Sequence, residues 1–163
     1  MIEIPVELGT RTYPVVIGHG VAASLHELIG RLRGRRFALV SNLRVSSLHG
    51  AKVELSLKKL GAVTRLLIPD GERYKTLDTV ASIHDGLLAA GLGRDAVLVA
   101  FGGGVVGDVA GLAAATYMRG IDWVQVPTTL LAMVDSSIGG KVGVNHPKAK
   151  NLIGAFHQPR AVI

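Results

Sequence analysis

Gly102, Gly103, Gly104 and Gly107 stand between an apolar run of strand length, Val97–Phe101, and an Ala-, Gly- and Val-rich segment, Val105–Met118. That order predicts strand, tight turn and helix. Glycine lets the backbone turn sharply and approach a ligand, because no Cβ intervenes. A helix start offers unpaired N–H groups and a partial positive charge, which together suit a diphosphate. Gly102, Gly104 and Gly107 fit G-x-G-x-x-G. The pattern alone leaves a second reading open, a close-packed helix–sheet turn in which Gly107, Ala110, Gly111 and Ala114 are simply small contact residues. Strand candidates precede this turn, and Asp122 begins the next strand instead of ending it, unlike the usual dinucleotide unit.

The polar residues that can do chemistry lie mostly beyond Val126. Asp135 ends a short helix, LLAMVDSS, where the dipole disfavours a carboxylate. A residue set against local preference is a candidate for function. Lys141 follows Gly139-Gly140 and can pair with Asp135 or with a substrate oxyanion. From Ser136 onward there is no Asp or Glu, while Lys141, Lys148, Lys150 and Arg160 are present. Such a stretch suits a phosphorylated or carboxylated small molecule, although charge alone favours a solvated surface. Asp108 in the first turn of the glycine-led helix complements its dipole whether or not it has a function. Glu72 and Lys75 follow the turn Asp70-Gly71 and either pair locally or reach a cofactor. His146 and His157 read as hydrogen-bonded loop residues. No histidines stand at metal-ligand spacing, and there is no cysteine to supply a thiolate or a disulfide.

These groups need a scaffold. Val6–Leu8 and Tyr13–Ile17 read as edge strands. Helices are predicted over Val21–Leu32, over Val45–Leu60 ending at Gly61, and from the N-cap Thr76 through Ala90. Strands are predicted at Phe37–Ser41, Thr64–Ile68, Val97–Phe101 and Asp122–Val126. Thr128 or Thr129 caps the next short helix, and Lys141–Asn145 is a short strand before the turn His146-Pro147. Strands alternating with helices predict an α/β fold, a Rossmann-like parallel sheet with helices on both faces. Irregular polar segments at the carboxyl ends of such strands are where α/β proteins keep their sites.

At 163 residues and 48% apolar, the chain reads as one ordinary domain and not a disordered segment. It shows no long uncharged apolar run and no signal peptide, so a cytoplasmic protein without membrane contact is expected. The net charge of +6 is concentrated in part at Arg31, Arg33, Arg35 and Arg36. These are read as solvating a helix end; without interleaved aromatics they do not suggest a nucleic-acid partner.

Three phrases carry a resemblance: PDGERYKTL at 69–77, GGGVVGDVAGLAAATYMRG at 102–120 and QVPTTLLAMVDSSIGGKVGVNHPKAKNLIGAFHQP at 125–159. The chain resembles the 3-dehydroquinate synthases, loosely throughout and closely over its last hundred residues or so. The resemblance implies NAD and a divalent metal, zinc or cobalt, and a reaction that converts 3-deoxy-arabino-heptulosonate 7-phosphate to 3-dehydroquinate and phosphate. It implies that Asp70, Gly71, Glu72, Arg73, Tyr74 and Lys75 border the adenosine side of NAD. Gly104, Val105, Val106, Gly107 and Asp108 hold the pyrophosphate. Thr128, Thr129, Lys141 and Lys150 complete the cofactor site, and Asn42 contacts the ribose. Asp135, Lys141 and Asn151 face the substrate, and Arg119 reaches across a homodimer interface to its phosphate. Arg44 departs from the family's small residue at a second ribose contact.

The family continues into a helical domain of comparable size that carries the metal ligands. The chain is therefore expected to be the N-terminal NAD-binding domain, a single domain apparently truncated at Ile163 and inactive alone. No metal site is expected within it. Apolar surface is expected near Ile153–Phe156 and Val162-Ile163. The alternatives are a paralogous sugar phosphate cyclase of the 2-deoxy-scyllo-inosose synthase type, a polyol dehydrogenase and a non-enzymatic nucleotide-binding module.

Overall fold

The computed structural model describes residues 1–163. Its centre is four parallel strands, β3 (Phe37–Asn42), β4 (Val63–Ile68), β5 (Val97–Gly102) and β6 (Asp122–Pro127), in the order β4-β3-β5-β6. β3 and β5 are buried at every position. Their continuous apolar runs suit a strand covered on both sides. Alternate residues serve opposite cores. Ala38, Val40, Leu98 and Ala100 pack on one face with α4 (Leu77–Ala89) and α5 (Gly104–Thr116). Phe37, Leu39, Val97, Val99 and Phe101 pack on the other with α1 (Leu25–Leu28) and α3 (Ala51–Lys58). Helices on both faces of a parallel sheet match the sequence expectation.

Local signals explain most boundaries. Thr76 caps α4, its Oγ1 accepting from the Thr79 N–H at 3.3 Å. Asn42 caps α2 (Leu43–Val45) by accepting from the Val45 N–H at 2.8 Å. α2 continues through a π turn, Ser46–Gly50, into α3. Thr129, and not Thr128, caps the helical segment that leads to the π turn Ala132–Ser136, accepting from the Ala132 N–H at 3.3 Å.

Three expectations are corrected. The first strand, β1, is Ile2–Val6, two to four residues earlier than Val6–Leu8, because it pairs in full register with β2 (Tyr13–Ile17). The helix expected over Val21–Leu32 is broken into a 3-10 turn, the single-turn α1 and another 3-10 turn; Gly30 opens the last of these. The segment after the His146-Pro147 turn is a strand, β8 (Ala149–Phe156), antiparallel to β7 (Lys141–His146). This hairpin packs on α5: a Cβ on Gly111 would overlap Val142 and come within 3.0 Å of Trp123.

Residues 161–163 lie between β2 and β6. Val162 donates to the Pro14 carbonyl at 2.9 Å and accepts from Val16 at 2.8 Å. On the other side Gln125 donates to the Ala161 carbonyl at 3.0 Å, and Ile163 donates back to Gln125 at 2.9 Å. The amino-terminal hairpin thereby joins the main sheet. Val162 and Ile163 are buried at 2% and 7% exposure, against the expectation of an apolar surface there. Phe156 and Leu152 are exposed at 82% and 63%, so of the two segments expected to be exposed only the one on β8 is.

The arginine cluster also differs from its expected role. Arg31 donates to the Arg160 carbonyl, Arg33 to the Lys59 carbonyl, and Arg35 to Asp95, Ala96 and Asp122. Most of these are cross-ties at the amino edge of the sheet; only Arg33, on the C-cap carbonyl of α3, serves a helix end.

Candidate active site at the carboxyl edge

β3 and β5 are neighbours although β4 lies between them in sequence. Their connections leave in opposite directions, which opens a crevice beyond the carboxyl ends of the strands. The ends of all four parallel strands deliver candidate residues there: Asn42 from β3, Asp70–Lys75 after β4, Gly102–Asp108 after β5, and Thr128-Thr129 after β6.

The head of α5 is left without a side-chain cap, its N-cap being Gly103. The Gly107 N–H is already bonded to the Gly103 carbonyl at 3.0 Å, so the donors left over belong to Gly104, Val105 and Val106. A Cβ on Gly104 would press on Ser136 Oγ at 3.1 Å. Thr128 Oγ1 and Ser136 Oγ are buried without a hydrogen-bond partner. Gly107 works differently, because a Cβ there would overlap the Gln125 side chain. The close-packing reading of the glycine pattern thus holds for Gly107 and Gly111. Gly104 borders the open helix end, while Gly107 and Gly111 let α5 approach β6 and β7.

Glu72 and Lys75 do not pair with each other. Lys75, only 6% exposed, reaches Asp108 Oδ2 at 2.5 Å and donates to Asn151 Oδ1. Glu72 Oε1 accepts from Asn145 Nδ2 at 2.8 Å. Asn145 also accepts from the Asn151 N–H at 2.8 Å, and its own N–H donates to the Lys75 carbonyl at 2.8 Å. Burial pushes the Asp108 carboxyl above its usual range; Lys75 pulls it back in part, and the charges of Glu72 and Asp135 raise it further. Beyond the carboxyl end of β3, Asn42 Nδ2 donates to Asp70 Oδ1 at 2.9 Å. Arg73 lies over the Tyr74 ring at 4.7 Å.

Asp108, Asp135, Lys141 and Asn151 line one cleft of about 450 Å³, together with Ser136 and residues of the β7–β8 hairpin. Asp135 and Lys141 face it without forming an ion pair. Lys150 is exposed and does not line this cleft. Arg160 pairs with Asp122 at 2.7 Å instead, so it leaves the group of anion-attracting residues. Arg119 is exposed beyond the far end of α5, in a tight turn where Met118 and Arg119 both have positive φ, 49° and 66°. It does not meet Asp135, Lys141 or Asn151 within the chain. His157 stacks on Trp123 and bonds the Ile121 carbonyl at 2.9 Å, and His146 accepts from the Lys148 N–H at 3.2 Å; both are loop-bonding residues. Sequence reasoning missed Asn145, which carries no motif of its own, and Ser136. No three Asp, Glu or His side chains converge in a way that would hold a metal ion.

Comparison with known proteins gives a consistent picture. Residues 65–163 match the family described as 3-dehydroquinate synthase N-terminal. The chain is 55% identical over 165 residues to 3-dehydroquinate synthase of Pelotomaculum thermopropionicum, covering 100% of this chain and 44% of that protein. It is 50% identical over 161 residues to 3-dehydroquinate synthase of Shewanella piezotolerans, covering 99% and 45%. A crystal structure of 2-deoxy-scyllo-inosose synthase, complexed with carbaglucose-6-phosphate, NAD⁺ and Co²⁺, superposes with a TM-score of 0.92 at 34% identity, over 99% of this chain and 45% of that one. The chain thus spans less than half the length of each of these relatives. No helix is long and apolar enough to cross a membrane.

Proposed function

The chain belongs to the 3-dehydroquinate synthase family by its N-terminal domain, and we propose that it is the NAD-holding half of an enzyme converting 3-deoxy-arabino-heptulosonate 7-phosphate to 3-dehydroquinate and phosphate in the shikimate pathway. The observation that carries this reading is the junction of two features. The uncapped head of α5 adjoins the cleft that collects Asp108, Asp135, Lys141 and Asn151.

Gly104, Val105 and Val106 present backbone donors to the pyrophosphate, with Gly107 and Asp108 completing the first turn beneath it. Orphaned Thr128 Oγ1, with Thr129, supplies hydroxyls beside them. Asp70–Lys75 and Asn42 border the adenosine side. Bound there, NAD would supply reversible hydride transfer, the hydride coming from the carbon that bears a substrate hydroxyl. Lys141, exposed and unpaired, holds an anionic end of the substrate. Asp135 accepts from a substrate hydroxyl, and Asn151 is fixed next to it by Lys75. Lys150 contributes its charge from β8. Much of this is positioning of a charged substrate, which fits a lysine-bearing, acid-free segment. Arg119, aimed away from its own cleft, serves the phosphate bound by a second copy in a homodimer.

The residues present do not fit a divalent metal, so no step here is routed through one. The ligands for zinc or cobalt belong to the remaining length of the relatives, and the chain alone is inactive. Phosphate release from the heptulosonate phosphate tests this: the full-length enzyme releases it, while the 163-residue chain with NAD and metal stays at the heat-killed baseline. Sustained release by the chain overturns the assignment of the metal site. A second reading, a sugar phosphate cyclase of the 2-deoxy-scyllo-inosose type, draws support from the 0.92 TM-score. The higher identities to the dehydroquinate synthases favour the first. Turnover of a hexose phosphate in preference to the heptulosonate phosphate would reverse that order.

A further inference from the structure

We propose that Asn145 is a positioning residue that locks the cofactor-side loop 72–75 to the substrate-side hairpin, and that the proper aim of both Glu72 and Asn151 depends on it. This rests on reading the carboxyl-edge crevice as the NAD seat. Asn145 sits near the end of β7 and touches three partners. Its Nδ2 donates to Glu72 Oε1 at 2.8 Å, its Oδ1 accepts from the Asn151 N–H at 2.8 Å, and its N–H donates to the Lys75 carbonyl at 2.8 Å. The amide orientation is fixed by chemistry: only the oxygen can accept from a backbone N–H, so the nitrogen must face the carboxylate.

Asn151 shows why such a lock is needed. Its φ is +53°, in the left-handed region that a non-glycine residue enters at a cost. The strain persists only where surroundings over-determine it. One tie is the Asn151 N–H to Asn145, and the other is the Asn151 Oδ1 contact with Lys75 Nζ. Lys75 is in turn the partner of Asp108 at the head of α5. A single side chain therefore connects Glu72, Asn151 and, through them, the Lys75–Asp108 pair. Aspartate has nearly the same shape as asparagine but no donor. Asn145→Asp keeps the acceptor for Asn151 and sets two carboxylates against each other at Glu72.

The test uses NAD affinity by calorimetry and amide hydrogen exchange by NMR on the 163-residue protein. Asn145→Asp weakens NAD binding by about tenfold, the loss expected for one hydrogen bond to a charged group. Glu72→Gln in the same chain restores a donor–acceptor pair of reversed polarity. Measured against Glu72→Gln alone, Asn145→Asp then has an effect of less than about twofold. Asn145→Ala speeds exchange of the Asn151 amide by about tenfold or more whether or not NAD is present, while amides of β3 and β5 keep their protection. Equal NAD affinity for Asn145→Asp and wild type, or an unchanged Asn151 exchange rate in Asn145→Ala, overturns the inference. Loss of affinity without rescue by Glu72→Gln also overturns it, since a merely structural role predicts that pattern. If the wild-type chain shows the expected Asn151 exchange behaviour but binds no NAD, the cofactor reading fails, and the positioning role falls with it.

Discussion

The Lys75 ammonium and the Asp108 carboxylate meet at 2.5 Å across the carboxyl edge of the sheet, joining the loop after β4 to the first turn of α5. Both side chains are largely buried, with 7% and 18% exposure. Removing one partner of such a pair leaves the other charge stranded.

Lys75→Met is therefore expected to cost about 3–5 kcal/mol in denaturant unfolding, near the value for breaking a buried pair. Its pH dependence follows from Asp108. The folded-state value is raised by burial, so the folded chain binds this proton more tightly than the unfolded chain. The favourable contribution is complete below the usual carboxylate range and is lost as pH rises through the raised value. Without Lys75 this trend steepens, and the variant regains stability as pH falls toward about 4. A flat difference from wild type across that range counts against the pairing.

Gly104→Ala and Gly111→Ala separate the two kinds of glycine in α5. The Gly104 substitution presses on Ser136 beside the open helix end and weakens NAD binding with little change in stability. The Gly111 substitution overpacks the contact with Val142 and Trp123 and costs about 1–3 kcal/mol. Calorimetric titration and thermal melting of both variants check the contrast; equal effects on binding would merge the two roles.

The ribose corner should favour NAD over NADP. Asp70, held by Asn42 at 2.9 Å, opposes a 2′-phosphate, while Arg44 nearby keeps the preference moderate. Asp70→Asn narrows the preference in side-by-side titrations. Tighter binding of NADP by the wild-type chain would refute the assignment of this corner.

Asp122 anchors the opposite edge. Burial pushes its carboxyl up, but hydrogen bonds and charge from Arg160 and Arg35 outweigh this and hold it below the usual range. Its contribution is present above the unfolded value of about 4 and is lost as pH falls through the folded value. Asp122→Asn loses about 1 kcal/mol at neutral pH, a modest figure because Arg160 is half exposed, and gives a weaker acid transition. Urea unfolding at several pH values measures both.

Lys141→Ala tests the cleft itself. The side chain is exposed and makes no ion pair, so stability changes by less than about 0.5 kcal/mol. Turnover of the full-length enzyme is abolished. Near-normal turnover removes Lys141 from the substrate site.

The sequence made the parallel sheet legible because β3 and β5 are short apolar runs, the second followed by the strong punctuation of the Gly102–Gly104 turn. Thr76 was readable because a cap acts locally. β8 was not legible, since Lys150, Asn151 and Leu152 are all exposed and leave no alternation. Nor was Asn145, whose partners at Glu72 and Lys75 come from some seventy residues earlier. Local pattern identified Asp135 and Lys141, the family resemblance added Asn151, and only the tertiary fold paired Lys75 with Asp108 in place of Glu72.

The seat of Val162 between β2 and β6 has a consequence for the order of assembly. On a ribosome the first hairpin emerges early, yet the backbone partners that join it to the sheet are made almost 150 residues later. Until then Ile2, Ile4 and Ile17, which remain exposed even in the finished fold, belong to a ribbon with no third strand. A lone two-stranded ribbon is marginal in water. The hairpin is thus synthesised well before the residues that secure it. Nascent chains halted before residue 161 should lose this hairpin to proteolysis while the β3–β5 core already resists it.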